Sequence, residues 1–315
     1  FVPMTASLLT ALFSVLIPAK GWYAPTQAVD VKIDGKGSYT LVLTNFEGGK
    51  RYDADGSAGV REGQTVDVKR MFKTLSQPGT YILWAVPESR TFPQFAGTPL
   101  VIEVRSRRGA TEPLVAHVTP LRYAQMSTEK GEITIVFFYA SAPHTVGNFL
   151  GLAAEGYYDG LTFHRIVPGF VIQGGDPRGD GSGGPGYQIT AEFNDKKHYE
   201  GVLSMARIGD PEEGRGFPPR PEYANSAGSQ FFICLDYRTT KNLDGSYTAF
   251  AQVVKGMEVV KKIAQTPVAD KRTGRPTEAP VIQKVQVKPV TPEDNPYELL
   301  KSEEPGAATR PSRAD

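Results

Sequence analysis

Turn-forming residues break this chain into short segments along most of its length. Its 315 residues include 33 glycines and 25 prolines, and a chain so rich in both favours short strands over long helices. Between residues 22 and 105, β-rich runs alternate with Gly, Asp and Pro, and Tyr39–Leu43 has the alternation of a half-buried strand. We therefore predict a mostly β protein whose N-terminal domain, residues 22–105, is a small β-sandwich of unknown partner.

The segments outside this domain differ from it in composition. Residues 1–21 are an apolar segment, either a signal-peptide remnant or a strand, so the location stays open between the cytoplasm and export to the cell envelope. The apolar run is too short to span a bilayer. Residues 106–113 are polar and turn-rich, which predicts a linker. Residues 290–315 are rich in proline and charge, which predicts a disordered tail.

The remaining segment, residues 114–289, contains two amphipathic helix patterns among many strand patterns. The first helix is expected to begin at Ser141-Ala142-Pro143, where the serine caps it, and to stop at Gly156. The second covers residues 256–265. Many strands with one early and one late helix predict a closed β-barrel with the helices covering its ends.

Charge and residue counts exclude several function classes. The formal net charge of +1 argues against general nucleic-acid binding, which needs a concentrated basic surface, and favours a neutral or peptide-like partner. The single cysteine, Cys234, can form no internal disulfide. The four histidines show no metal-ligand spacing, so we predict no metal and no other cofactor.

Two polar residues, Arg165 and Gln173, interrupt an otherwise apolar stretch at residues 163–176, Phe-His-Arg-Ile-Val-Pro-Gly-Phe-Val-Ile-Gln-Gly-Gly-Asp. Together with Leu-Ser-Met-Ala-Arg at 203–207, Asn-Ser-Ala-Gly-Ser-Gln-Phe-Phe-Ile at 225–233 and Leu-Asp-Gly at 243–245, this stretch resembles the cyclophilin-type peptidyl-prolyl cis-trans isomerases, in particular bacterial members. The resemblance extends over roughly residues 114–289. It implies an eight-stranded closed barrel capped by two helices, and catalysed isomerisation of X-Pro bonds in proline-containing polypeptide segments, assisting protein folding without a cofactor.

The resemblance also assigns roles to individual residues. Arg165 is the candidate that stabilises the nitrogen of the twisted amide, because a guanidinium stays charged and presents several donors. By the same resemblance Gln173 holds the substrate carbonyl side, and Phe170 completes the catalytic set. The implied substrate-binding residues are Val171, Ala206, Arg207, Gln230, Phe232, Leu243 and Tyr247.

The chain departs from the family pattern at several of these positions. Val171 stands where a methionine is common, and Tyr247 where many members have a histidine. Asn242 stands where many members have a tryptophan, so weak sensitivity to cyclosporin is expected. Arg207 and Ile208 replace small polar residues, and residues 209–224 lengthen the adjacent loop. These departures motivate an alternative function, a proline-peptide binding or chaperone-like module with weak or no turnover.

Overall fold

The computed structural model describes residues 14–24, 26–46, 50–105, 115–213 and 217–300. The chain divides into two compact units. The first runs to Arg122 and includes Lys288–Asn295, and the second contains Tyr123–Val287 and the residues from Pro296 onwards. None of the helices in the described ranges is long and apolar enough to cross a membrane.

The first unit contains two antiparallel sheets. Its elements are β1 Leu16–Pro18, β2 Trp22–Tyr23, β3 Asp30–Ile33, β4 Ser38–Asn45, β5 Arg51–Tyr52, β6 Gly59–Arg61, β7 Thr65–Asp67, α1 Val68–Met71, β8 Gly79–Pro87, β9 Ala96–Arg105 and β10 Val115–Pro120. One sheet has the order β1-β3-β7, and the other has the order β2-β10-β9-β8-β4-β5 with β6 also paired to β4. The β-rich class agrees with the sequence, whereas a sandwich arrangement of the two sheets stays a prediction.

Strand β4 shows how the alternating pattern produces this core. Tyr39, Leu41 and Leu43 belong to one large apolar cluster. On the other face Val42 and Thr44 are buried as well. Burial of the Thr44 hydroxyl is compensated by the Trp84 indole, which donates to it at 3.0 Å.

The ends of the first unit extend beyond the predicted domain of residues 22–105. Strand β1 comes from the apolar N-terminal segment and pairs with β3, while residues 1–13 lie outside the described residues. Strand β10 pairs with β9 over six residues, from Val115–Arg105 to Pro120–Leu100. The first compact unit thus includes residues up to Arg122, and the predicted domain bounds stay predictions. The predicted linker, residues 106–113, lies outside the described residues.

The second unit is built on one large sheet. Its strands are β11 Arg122–Thr128, β12 Gly131–Phe137, β13 Arg165–Val167, β14 Val171–Gly174, β15 Val202–Met205, β16 Phe231–Cys234, β17 Ala249–Lys255, β18 Val268–Asp270, β19 Arg275–Pro276 and β20 Ile282–Pro289. Its helices are α2 Pro143–Ala154, α3 Pro221–Ala224, α4 Tyr237–Thr240, α5 Met257–Ala264 and α6 Tyr297–Leu300. Helices α2 and α5 are the two longest and match the two helices predicted from the sequence.

The large sheet curls without closing. Its strand order is β13-β14-β16-β15-β17-β12-β11-β20, and within the described residues its end strands β13 and β20 form no ladder with each other. The free edge of β13 is occupied instead by the β18–β19 hairpin, where Ile166 N donates to Gly274 O at 2.7 Å. A single bridge, between Thr162 and Val281, joins the segments that precede the two end strands. The eight-stranded sheet is thus confirmed, and the prediction of a closed barrel is wrong.

The start of α2 is capped by a side chain distant in the sequence. The predicted cap, Ser141, is not used, and Ala142 is the residue before the helix. The carboxylate of Glu192 accepts from the backbone N–H groups of His144 at 3.0 Å and of Thr145 at 2.8 Å. Free amides at a helix start need such acceptors, and a carboxylate there is also favoured by the helix dipole.

The described part of the C-terminal tail makes hydrogen bonds with both units. Val290 is buried and donates its N–H to Leu121 O. Within the second unit, the Tyr297 hydroxyl of α6 accepts from Phe137 N at 3.1 Å. Residues 301–315 lie outside the described residues, and the disorder predicted for residues 290–315 stays a prediction.

Candidate active site

The β13–β14 hairpin brings Arg165 and Gln173 together. The two residues are direct cross-strand partners, and Gly169 in the turn adopts a φ of 71°, a conformation that favours glycine. The Arg165 guanidinium donates to Gln173 Oε1 at 3.2 Å. Arg165 and Gln173, which are eight positions apart in the sequence, thus form one hydrogen-bonded pair.

A chain of amides continues this pair across the site. Gln173 Nε2 donates to Gln230 Oε1 at 2.9 Å. Gln230 Nε2 in turn donates to the backbone carbonyls of Gly183 at 2.8 Å and of Gly181 at 3.0 Å. Each amide is therefore oriented by its neighbour, and the chain starts from fixed backbone atoms and ends on the guanidinium.

An apolar cluster adjoins this polar chain, and its partly exposed face is called the apolar pocket below. Its buried members are Phe138, Val171, Val202, Phe232, Cys234 and Ala249, and its partly buried members are Phe170, Ala206, Leu243, Tyr247 and Leu300. Strand register explains part of the arrangement, because Gln173 lies opposite Phe232 on β16. The rings of Phe232 and Tyr247 meet edge to face with centres 5.7 Å apart.

The Arg165 guanidinium is partly buried, which affects its pKa. Partial burial lowers the pKa of Arg165 from its usual value, and the nearby Tyr247 opposes this shift. An arginine in a protein stays protonated at neutral pH despite such a shift. No carboxylate within the described residues forms an ion pair with Arg165, so most of its five N–H donors remain available.

Arg207, predicted to contact the substrate, packs against Tyr247. Its guanidinium lies 4.3 Å from the centre of the Tyr247 ring, and its side chain is only 2% exposed. It donates to Ser246 O at 3.1 Å and forms an ion pair with Glu213. Arg207 therefore packs against the Tyr247 ring and connects it, through Glu213, to the lengthened loop at residues 209–224.

A cavity of about 960 Å³ opens beside the polar chain. Of the predicted site residues, Gln173, Ala206, Arg207 and Gln230 line it. The remaining six, Arg165, Phe170, Val171, Phe232, Leu243 and Tyr247, belong to the hairpin pair or to the apolar pocket. The cavity and the apolar pocket share Ala206, and Gln173 belongs both to the cavity lining and to the hairpin pair.

Comparison with known proteins follows the same division of the chain. The family model of the cyclophilin type peptidyl-prolyl cis-trans isomerases matches residues 123–287, slightly more than half of the chain. The chain belongs to the cyclophilin family. The matched range coincides with the second compact unit without its C-terminal residues.

Curated relatives of the cyclophilin unit carry the same activity in their names. A peptidyl-prolyl cis-trans isomerase of Synechococcus elongatus is 46% identical over 142 residues, which are 44% of this chain and 87% of the relative. Peptidyl-prolyl cis-trans isomerase B of Bacillus subtilis is 42% identical over 139 residues, which are 44% of this chain and 86% of the relative. The cyclophilin unit is a peptidyl-prolyl cis-trans isomerase. The alternative of a module that binds without turnover is not favoured.

A solved structure is also similar over this range. It is the crystal structure of a Cryptosporidium parvum cyclophilin type isomerase in the presence of the dipeptide Ala-Pro. It is 30% identical with a TM-score of 0.46, and the match covers 53% of this chain and 99% of that chain.

Sequence reasoning missed several residues around the site of this cyclophilin unit. Tyr187, 50% exposed, and Ser226 both line the cavity. His198 and Ser204 are fully buried behind Phe232. Ser204 and Ser226 lie in two of the segments that carry the family resemblance, but no role was assigned to them from the sequence. Tyr187 and His198 lie outside those segments, and their contacts are with distant parts of the chain. His164, next to Arg165 in the sequence, is also buried.

Proposed function

We propose that Arg165 is the catalytic residue of this isomerase and that the apolar pocket holds the proline ring of a flexible polypeptide substrate. The observation that carries the proposal is the arrangement of Arg165: a partly buried cation without a carboxylate partner, oriented by Gln173 at the edge of an apolar pocket. Such an arrangement would be costly unless the cation serves a bound group.

The chemistry of the reaction asks for this kind of group. Rotation about an X-Pro bond is opposed by a barrier of about 18–20 kcal/mol, because twisting breaks amide resonance. The twisted nitrogen regains a lone pair and becomes a hydrogen-bond acceptor, whereas the planar nitrogen is a poor one. A donor fixed at that position stabilises the twisted state more than either planar isomer, and so lowers the barrier.

The other residues of the site are assigned supporting roles. The rings of Phe170, Phe232 and Tyr247, with Leu243, supply apolar surface for the proline ring. Gln173 orients the guanidinium and offers its amide to the substrate carbonyl side. The reaction makes and breaks no covalent bond, so it needs no nucleophile and no group transfer.

Replacing Arg165 tests this assignment. In Arg165→Ala we expect kcat/KM on a short X-Pro peptide, measured by NMR exchange, to fall about 10²–10³-fold, the usual effect of removing one preorganised donor. Arg165→Lys keeps a charge but not the planar set of donors, and we expect it to recover only part of the loss.

Arg178→Ala is the matched control. Arg178 lines the same cavity, but its guanidinium bonds Ser182 and takes no part in the amide chain. Its replacement should change kcat/KM less than about threefold, as expected for an exposed contact. A folded Arg165→Ala variant with full activity would refute the role assigned to Arg165.

A further inference from the structure

Behind the apolar pocket, three polar side chains form a buried chain of hydrogen bonds. His198 Nδ1 lies 3.0 Å from Asp244 Oδ1, and His198 Nε2 lies 3.1 Å from Ser204 Oγ. The order of groups is that of a serine hydrolase triad. However, His198 and Ser204 have no exposed surface, so no substrate carbonyl can reach the hydroxyl. The chain must act on its surroundings rather than on a bond of the substrate.

The protonation states of Asp244 and His198 determine which group donates and which accepts in this chain of hydrogen bonds. Burial, which favours the neutral acid, is outweighed at Asp244 by hydrogen bonds led by those from His198, so the pKa of Asp244 is below its usual value. Burial lowers the pKa of His198, outweighing the opposite effect of Asp244. An ionised carboxylate only accepts, so Nδ1 of the neutral imidazole donates to Asp244 and Nε2 accepts from Ser204.

Each end of this chain of hydrogen bonds adjoins a residue of the apolar pocket. Asp244 directly follows Leu243, and its carboxylate also accepts from His198 N at 2.8 Å and from Tyr237 Oη at 3.0 Å. Ser204 lies on β15 directly opposite Phe232. The His198 ring is nearly parallel to the Phe232 ring, with an interplanar angle of 22° and centres 6.2 Å apart.

We propose that His198 is a positioning residue for prolyl isomerisation, which holds Phe232 and Leu243 in the arrangement that the twisted proline requires. The proposal rests on the function proposed above for the apolar pocket. Pockets whose side chains are held by such supporting bonds keep a productive geometry, and small displacements of reacting groups are costly to the rate. Two bonds with fixed direction leave the imidazole a single orientation.

Two variants test the positioning role separately from folding. His198→Asn places an amide near Nδ1, which can still donate to Asp244, but removes the ring and the link to Ser204. We expect kcat/KM to fall about tenfold, mainly through kcat, with peptide binding changed less than about threefold. Ser204→Ala keeps the ring and removes one bond, so we expect a smaller loss in the same parameter.

Thr145→Val is the matched control for lost stability. The Thr145 side chain is as deeply buried and donates to Glu192 at 2.8 Å, outside the pocket cluster. It should lower the melting temperature comparably, yet leave kcat/KM unchanged well below that temperature. If His198→Asn and Ser204→Ala behave like this control, the positioning role is overturned.

A double-mutant cycle with Phe232→Leu supplies a readout that a purely structural role would not move. If His198 acts through the Phe232 ring, His198→Asn should cost little further activity once that ring is gone, so the two losses should be less than multiplicative. Multiplicative losses would refute the inference. An Arg165→Ala variant with full activity would instead refute the proposed function, so the two failures are distinguishable.

Discussion

Breaking the amide chain at Gln173 should reduce catalysis without removing any group that we assign to the twisted nitrogen. Gln173→Met keeps the size of the side chain but can neither accept from Arg165 nor donate to Gln230. A hydrogen bond to a charged group contributes about 1.5–3 kcal/mol. The Arg165–Gln173 bond of 3.2 Å is long, which favours the lower value and hence a decrease of about tenfold in kcat/KM.

The assay compares four variants with the wild type on one X-Pro peptide, with rates obtained by NMR exchange. Gln230→Met removes the group that orients Gln173, and we expect a loss of about three- to fivefold, because the Arg165 bond survives in a looser form. In the double variant the losses should combine to less than their product, since both changes interrupt the same chain. Gln188→Met, an exposed residue of the same cavity, is the control and should have little effect.

Two results would refute this reasoning. Full kcat/KM in a folded Gln173→Met variant would show that Arg165 needs no orientation by an amide. Strictly multiplicative losses in the double variant would show that Gln173 and Gln230 act independently, despite the 2.9 Å bond between them.

Three further predictions concern buried groups. Tyr297→Phe removes the acceptor of the buried Phe137 N–H, so the unfolding free energy should fall by about 1–3 kcal/mol in urea denaturation; an unchanged midpoint would contradict this. Burial lowers the pKa values of His164 and His198 below the usual 6.5. Since the unfolded chain then binds more protons, stability should fall as the pH is lowered below about 6.5, and less steeply in His198→Asn. Burial raises the pKa of the Cys234 thiol, so an alkylating reagent at about pH 8 should modify it only after unfolding, and rapid labelling of the native protein would show otherwise.

The sequence was sufficient for the parts of the site that depend on local pattern. Arg165 and Gln173 stand out as two polar residues in an apolar stretch, and the family resemblance assigns both to one site; the hairpin that pairs them is seen only in the structure. Local pattern located helices α2 and α5, because their apolar spacing and end signals are local as well.

Features that depend on distant segments were not predictable in this way. The open edge of the sheet results from Gly274 occupying the edge of β13 at Ile166, more than 100 residues earlier in the chain. The cap of α2 comes from Glu192, and no local pattern announces it. The orientation of Arg207 depends on Tyr247 and on the inserted loop, which the family resemblance does not cover.

The two arginines near Tyr247 differ in whether a carboxylate balances their charge. Burial raises the pKa of Tyr247, and the fields of Arg207 and Arg165 both oppose that rise, so both guanidinium groups act on the same ring. The charge of Arg207 is balanced by its ion pair with Glu213, and its guanidinium also donates to Ser246 O. Arg165 bonds the Gln173 amide and forms no ion pair with a described carboxylate, which is what its proposed role requires. Because a charge acts more strongly where water is displaced, a substrate that fills the pocket would itself increase the effect of Arg165 on the twisting amide.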